Sequence, residues 1–372
     1  MKIVHARVIP IRLALAEPIA TSRGKIHVRE GALIELVSAT GARGWGEALP
    51  LRGFGLETGG EAVEALEAIG RALIAEEFPG PQSALDRADA TTPTAKAARA
   101  AADVALHDLS AREAGVAVAA LLGDSPLQRV AVNALVRGAS PAELAASARD
   151  AVGRGHRTLK LKLLGGALDR DIARVAAVRD AVGDGPRLRL DANEAWDEDR
   201  ALAAVARLDA FGIEFLEQPV AADDLDALAR VRAASPIAIA ADEAVRDPAS
   251  AARVLAAAAA DVLVLKPAAL GGLRAARRIA AEAGCAGVDV VVTSFLDSSL
   301  GIAAALQLAA SLPRATHAAG LATAELLAED LATPLAIADG AIALPESPGL
   351  GLQPDPEALE RCSHGRTREV RN

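Results

Sequence analysis

Four charged residues stand at nearly equal intervals along this sequence, and each of them ends a short apolar run. They are Asp191, Glu217, Asp242 and Lys266, which lie 26, 25 and 24 residues apart. In an eight-fold strand–helix barrel, one strand, one helix and two loops take about 25 residues. The spacing therefore predicts that the four charges lie at the C-terminal ends of four successive parallel strands, where such barrels carry their chemistry.

The three carboxylates in this series predict a metal site. Three acids that converge on one point need a cation to balance their charge, and a set of oxygen ligands suits Mg²⁺. We therefore expect Asp191, Glu217 and Asp242 to hold Mg²⁺, for which Mn²⁺ could substitute.

Two further lysines alternate with leucines in the run Thr158-Leu-Lys-Leu-Lys162. Because side chains alternate between faces along a strand, Lys160 and Lys162 share one face and the leucines share the other. Leucines suit the layer of helices outside a barrel, so the two lysines are predicted to point into its interior. Neighbouring ammonium groups disfavour each other's charged form, which predicts a lowered pKa for at least one of the two lysines.

Lys266 follows Lys162 by four strands and so is predicted to lie on the opposite side of an eight-stranded ring. The two lysines would then face each other across the site, with the metal carboxylates between them. This arrangement suits removal of a proton from a carbon next to a carboxylate. A lysine would take the proton, and the metal would stabilise the enediolate that results.

The elements that must position these residues alternate between strands and helices from Val130 onward, which predicts an α/β fold with a (β/α)7-8 TIM-type barrel. The candidate strands are Val130–Val136, Thr158–Leu163, Arg187–Asp191, Ile213–Glu217, Ile237–Asp242, Val262–Lys266, Val288–Ser294 and Ala315–Leu321. The last strand is the weakest of the eight, because its run Ala-Thr-His-Ala-Ala is poor in branched residues. For His317 in that run, we favour a structural role over a ligand role.

The first 125 residues have a different pattern and are predicted to form a separate α+β domain. Strand-like runs come first, followed by two helical segments. The runs are Ile3–Leu13, Gly31–Ser38 and Arg43–Ala48, and the helices are Glu61–Glu76 and a long one from Thr94 to about Leu122. We thus divide the chain into 1–125, a barrel at 126–325, and a C-terminal segment at 326–372 that returns to the N-terminal domain, with a frayed tail at 363–372.

Composition excludes several classes of protein. With 52% hydrophobic and 24% charged residues, the 372-residue chain is globular, and its net charge of −9 argues against nucleic acid as a partner. Two cysteines give no disulfide framework, which fits the cytoplasm. The N-terminus has the pattern of a strand rather than a signal peptide, and no apolar run is long enough to span a membrane.

At these residues the chain resembles the enolase superfamily, in its muconate-lactonizing subgroup. The matching motifs are Lys160-Leu-Lys162, Asp191-Ala-Asn193, Glu217-Gln-Pro219, Asp242-Glu243 and Lys266-Pro267. The resemblance implies that the N-terminal domain caps the barrel and that Asp191, Glu217 and Asp242 hold Mg²⁺. It further implies that Lys162 and Lys266 flank the substrate, that Lys160 is a supporting lysine, and that Asn193 and Glu243 lie just outside the metal ligands. Homo-oligomers occur in the family.

Within this subgroup the chain resembles the o-succinylbenzoate synthase family most. The stretches that carry this resemblance are residues 44–58, 187–196, 294–301 and 319–323. The resemblance implies a small-molecule carboxylate substrate, a cyclohexadiene carboxylate that loses water to give o-succinylbenzoate in menaquinone synthesis. It implies that Phe54, Ser294, Gly320 and Leu321 contact the substrate. Phe295 departs from the pattern, since a small polar residue is common there.

Alternative functions remain open. An N-acylamino acid racemase or dipeptide epimerase would use Lys162 and Lys266 to exchange a proton from opposite faces. Dipeptide epimerases usually carry an Asp-x-Asp motif after strand eight, where this chain has Ala-Gly-Leu-Ala. A Schiff-base aldolase would leave the three acids unexplained, and an inactive binding barrel is opposed by the intact set of acids and lysines.

Overall fold

The computed structural model describes residues 1–21, 24–313 and 316–371. The strands are β1 (Ile3–Thr21), β2 (Gly24–Ser38), β3 (Arg43–Ala48), β4 (Arg129–Ala131), β5 (Ala134–Val136), β6 (Thr158–Lys162), β7 (Arg187–Asp191), β8 (Ile213–Glu217), β9 (Ile239–Ala241), β10 (Val262–Leu265), β11 (Asp289–Val292), β12 (Ile337–Ala338), β13 (Ala341–Ala343) and β14 (Arg368–Arg371). The helices are α1 (Gly59–Ile74), α2 (Pro81–Thr91), α3 (Lys96–Ala114), α4 (Val118–Leu122), α5 (Pro141–Gly153), α6 (Leu168–Val182), α7 (Glu198–Leu208), α8 (Leu225–Ala234), α9 (Pro248–Ala256), α10 (Pro267–Leu270), α11 (Leu273–Cys285), α12 (Ser299–Ser311) and α13 (Pro356–Cys362). None of the helices in the described part of the chain combines the length and the apolar character that crossing a bilayer requires.

The N-terminal part is an antiparallel sheet in the order β14-β1-β2-β3, against which α1 and α3 pack. Helix α1 begins at a capping box, in which Thr58 and Glu61 satisfy each other's backbone N–H groups. Gly46 lets α3 lie directly on β3, because a Cβ atom there would be 1.8 Å from the carbonyl oxygen of Ala101. The backbones of β3 and α3 are therefore in direct contact at this point.

Seven parallel strands form the barrel wall in the order β11-β10-β9-β8-β7-β6-β5, which confirms the predicted fold class. Among the described residues, the eighth position is filled by isolated bridges, from Ala319 to Val132 and from Gly320 to Thr293. Of the strand predicted at 315–321, residue Ala315 lies outside the described residues. The scarcity of branched side chains in this segment is consistent with such a short closure.

The barrel keeps leucines outside and charges inside, as the alternation predicts. Leu159 and Leu161 of β6 and Leu188 and Leu190 of β7 are at most 1% exposed and belong to the core between strands and helices. The intervening positions of the same strands face the barrel interior, where Arg189 is also buried. The period of two along each strand thus decides which residues reach the site.

Two predictions at the edges of the elements are wrong. The helix predicted from Thr94 to about Leu122 divides into α3 and α4, because Gly115 ends α3 in the left-handed conformation with φ of 68°. The tail predicted to fray at 363–372 contains β14, which pairs with β1 from Val8↔Arg368 to His5↔Arg371. The division of the chain at residues 125 and 325 stays a prediction.

Candidate active site

The predicted site residues meet at one end of the barrel. Lys162, Asp191 and Glu217 end β6, β7 and β8, and they stand side by side in the register of the parallel sheet. Asp242 and Lys266 directly follow β9 and β10. All five side chains line one cavity of about 790 Å³, together with Lys160. The geometry expected from the spacing is therefore present.

The lysines differ in how they are paired. Lys160 donates to Glu217 at 2.7 Å and lies 2.9 Å from Asp191, and Lys266 contacts both oxygens of Asp242, at 2.6 and 2.5 Å. Lys162 has no ion-pair partner among the described residues and is exposed to the cavity. Two lysines are thus bound to the carboxylates, while one stands free in the cavity.

The electrostatics of the site follow from burial of several charges together. Asp191 and Glu217 are 2% exposed and Asp242 is 6% exposed. Burial, together with repulsion from Asp191 and Asp242, raises the pKa of Glu217 to about 8. Burial alone would lower the pKa of Lys160, but the carboxylates of Asp191 and Glu217 outweigh it and raise that pKa. Lys160 is therefore not the lysine with a lowered pKa that the pair predicts, because its acidic neighbours dominate.

The donor set fits a hard dication, although the side chains do not converge as they lie. In the ranges 1–21, 24–313 and 316–371, no three acidic, histidine or cysteine side chains are grouped closely enough to hold a metal ion. The contacts give the reason, since the ammonium groups of Lys160 and Lys266 lie against the three carboxylates. Three buried oxygen donors with excess negative charge suit Mg²⁺ once these ammonium groups turn away.

Asn193 and Glu243 lie beside the acids, as predicted. The backbone N–H of Asn193 donates to Asp191 at 3.1 Å, and its side-chain amide donates to Glu243 at 3.2 Å. Sequence reasoning missed Gln218, whose buried side chain accepts hydrogen bonds from the backbone of Asp242 at 3.0 Å and Ala244 at 3.2 Å. Gln218 belongs to the matching motif Glu217-Gln-Pro219, and this was the signal that could have given it a role.

Three of the four residues predicted to contact substrate line the cavity. These are Phe54, Ser294 and Gly320. Leu321 does not line the cavity, because the alternation along the closing segment turns it outward into the barrel core, where it is 1% exposed. This prediction is therefore not supported by the structure.

A polar cluster lies deeper inside the barrel and accounts for His317. The Nδ1 of His317 forms a hydrogen bond of 2.9 Å with the carboxylate of Glu214. That carboxylate also accepts a hydrogen bond from Arg189, at 2.6 Å. The guanidinium of Arg189 stacks over Phe215 at 4.6 Å and donates to the carbonyl of Ala318. The role that this contact network gives His317 is structural. In the sequence, the signal that Arg189 points into the barrel was its position two residues before Asp191 on the same strand.

Glu214→Gln is expected to make the free energy of unfolding less sensitive to a fall in pH through the acid range. Burial would raise the pKa of Glu214, but hydrogen bonds from His317 and Arg189 outweigh it and lower that pKa to about 2. A depressed carboxyl pKa contributes stability that is present above the unfolded value, 4.5, and is lost as pH falls toward 2. Urea unfolding between about pH 6 and 3.5 should therefore show a smaller loss for the variant than for the wild type. Equal losses, with exposed Glu346→Gln as control, would contradict this role.

Comparisons with known proteins agree with this geometry. The description "Enolase C-terminal domain-like" matches residues 143–358, and "Mandelate racemase / muconate lactonizing enzyme, N-terminal domain" matches residues 3–123. The chain is 32% identical over 359 residues to L-Ala-D/L-Glu epimerase of Bacillus subtilis (strain 168), covering 95% of this chain and 97% of that protein. It is 46% identical over 204 residues to o-succinylbenzoate synthase of Thermobifida fusca (strain YX), covering 54% and 62%.

A solved structure extends the similarity to three dimensions. The dipeptide epimerase of Enterococcus faecalis V583, complexed with Mg and the dipeptide L-Leu-L-Tyr, superimposes with a TM-score of 0.87 at 31% identity. The match covers 94% of this chain and 99% of that one. The similarity therefore extends over both the N-terminal sheet and the barrel.

Proposed function

Because this chain belongs to the enolase superfamily, we propose that it removes water from a cyclohexadiene carboxylate in a Mg²⁺-dependent reaction that yields o-succinylbenzoate. The observation that carries the proposal is the unequal state of two lysines that line the cavity. Lys162 has no ion-pair partner among the described residues. Burial would lower the pKa of Lys266, but several acids outweigh it, raise that pKa and favour the charged form, namely Asp242, Glu243 and Glu217. One free base suits an elimination on a single face of the substrate better than a racemisation, which needs a base on each face.

In the proposed reaction, Lys162 in its neutral form takes the proton from the carbon next to the substrate carboxylate. The electron pair of that bond moves toward the carboxylate, and Lys266 stabilises the developing negative charge as a fixed cation. The ammonium of Lys162 then returns the proton to the departing hydroxyl, which leaves as water. The product ring is aromatic, and its formation drives the step.

Asp191, Glu217 and Asp242 would hold the Mg²⁺, with Asn193 and Glu243 restraining them. When bound, Mg²⁺ would supply positive charge against which negative charge on the substrate carboxylate can develop. Lys160, which lies 2.9 Å from Asp191 and 2.7 Å from Glu217, would give up these contacts to the ion and stay beside the two acids as a supporting cation. With these roles assigned to different residues, the effects of a substitution on Mg²⁺ affinity and on proton transfer can be measured separately.

Asp242→Asn is expected to weaken Mg²⁺ binding by about tenfold or more, because it removes a charged oxygen ligand. Titration calorimetry with Mg²⁺ alone measures this without turnover. The matched control is Asp223→Asn, since Asp223 is 87% exposed and, within the described part of the chain, its ion-pair partner is Arg246. Unchanged affinity in Asp242→Asn would remove Asp242 from the ligand set.

An N-acylamino acid racemase or dipeptide epimerase is the second candidate. The extent of similarity favours it, because the B. subtilis epimerase matches 95% of this chain and the T. fusca synthase only 54%. Against the dipeptide version stands the segment Ala318–Ala322, which carries no acid to bind a substrate ammonium. Acylated amino acids lack that ammonium, so the racemase would need no such acid.

To test the proposal, purified protein is incubated with Mg²⁺ and the cyclohexadiene carboxylate, and the formation of o-succinylbenzoate is measured. Parallel reactions with N-succinyl amino acids and a dipeptide in D₂O are followed by NMR for deuterium at the α-carbon. Metal-dependent dehydration without exchange is the expected result. Exchange without dehydration would replace the synthase by the racemase or epimerase.

A further inference from the structure

The aromatic ring of Phe295 lies next to the paired lysine of the site. Phe295 follows β11 and Ser294, is 7% exposed and lines the cavity. Its ring centroid is 5.8 Å from the Nζ of Lys266, and the ring of Phe54 meets it edge-on at 5.6 Å. The wall of the cavity beside Lys266 is therefore aromatic.

The backbone around Phe295 is fixed from both sides. Its N–H donates to Asp297 at 2.7 Å, and its carbonyl accepts from the guanidinium of Arg29 at 3.0 Å. The carbonyl of Leu296 also accepts from Arg29, at 3.1 Å, and Leu296 itself adopts a left-handed φ of 57°. Arg29 further lies over the ring, with its guanidinium carbon 5.5 Å from the centroid. The ring is thus held by groups that are themselves buried.

The position of the ring restricts how Lys266 can act. The ring of Phe295 fills the wall beside the ammonium of Lys266, and its place there does not depend on the contact between Lys266 and Asp242. To exchange a proton with a substrate carbon, Lys266 must move within the cavity past this ring. The attraction between a cation and an aromatic face opposes that movement. Lys162 has no such neighbour among the described contacts.

We infer that Phe295 is a specificity-determining residue, which confines Lys266 to the role of a fixed cation and so favours one-face elimination over two-face racemisation. This inference deepens the proposed function and rests on it for its consequence in catalysis. Its structural half concerns only the freedom of Lys266 and can be tested without any substrate.

The first test is competitive acetylation of the lysines in the Mg²⁺-free wild type and in Phe295→Ala, with the extent at each lysine read by mass spectrometry. The expected result is that labelling of Lys266 rises by about fivefold or more, while labelling of Lys162 stays within about twofold. Phe295→Leu keeps apolar volume and should give an intermediate increase. Phe54→Ala widens the cavity without removing the ring next to Lys266, and should leave the ratio near that of the wild type. An unchanged ratio in Phe295→Ala, with the thermal midpoint preserved, would overturn the inference.

The second test reads the consequence for chemistry. Each enantiomer of an N-succinyl amino acid is incubated separately in D₂O, because its α-proton faces one lysine or the other. Phe295→Ala should raise exchange from the Lys266 face by about tenfold relative to the Lys162 face. Equal exchange from both faces in the wild type would overturn the inference. Absence of o-succinylbenzoate formation would instead overturn the proposed function, and the acetylation ratio would still decide the inference.

Discussion

Lys162→Ala is expected to lower dehydration by about three orders of magnitude or more, since a positioned general base contributes roughly 10²–10⁴-fold and here also returns the proton. The structure gives Lys162 no ion-pair partner in the described chain and places it in the same cavity as Lys266. No other unpaired lysine lines this cavity, as far as the described residues extend. The loss should appear in kcat, measured with purified protein at saturating substrate.

Two further measurements make this result specific. Mg²⁺ affinity should change little in Lys162→Ala, because its side chain contacts none of the three carboxylates directly. Lys2→Ala, an exposed lysine at the start of the chain, serves as a control and should retain full activity. If the protein is a two-base racemase, Lys162→Ala should abolish exchange for one enantiomer and preserve it for the other. Normal dehydration by the variant would exclude Lys162 as the base.

Arg29→Met is expected to lower the free energy of unfolding by about 3–5 kcal/mol, the usual cost of leaving buried charges without their partner. Arg29 is fully buried and donates to the carbonyls of Leu49, Pro50, Phe295 and Leu296. Burial lowers the pKa of its guanidinium to about 10, against the attraction of Asp297 and Glu47. Urea unfolding at neutral pH measures the effect.

The acids beside Arg29 explain the size of this effect. Burial, together with repulsion from Asp297, raises the pKa of Glu47 to about 8, and Glu47 accepts hydrogen bonds from Ser298 at the start of α12. Without Arg29, the buried Asp297 would lose the cation that lowers its pKa most. Arg29→Lys keeps the charge but not the forked donors, so it should lie between the wild type and Arg29→Met.

A surface arginine provides the matched control. Arg12 and its partner Glu30 are each 54% exposed, and Arg12→Met should cost less than about 1 kcal/mol. A similarly small cost for Arg29→Met would mean that Arg29 does not join the N-terminal domain to the barrel. Such a result would also remove the support for a fixed Phe295.

The positions of the charged residues of the site could be predicted from local patterns in the amino-acid sequence. Asp191, Glu217 and Asp242 end successive strands about 25 residues apart, and the period of two places Lys160 and Lys162 on the inner face. Both regularities are local, because they depend on residues within one strand or one strand–helix unit. All of these side chains accordingly line the same cavity.

The folded chain sets which charges pair and what surrounds them, through contacts between distant segments. It pairs Lys160 with Asp191 and Glu217 and leaves Lys162 without an ion-pair partner among the described residues, although both lysines belong to the same alternating run of the sequence. It brought Arg29 to Phe295 across 266 positions of the chain. It also closed the barrel through Ala319 and Gly320 and turned Leu321 away from the cavity. Contacts between distant segments leave no periodic trace in a sequence, because they depend on how domains pack and which rotamers their side chains adopt.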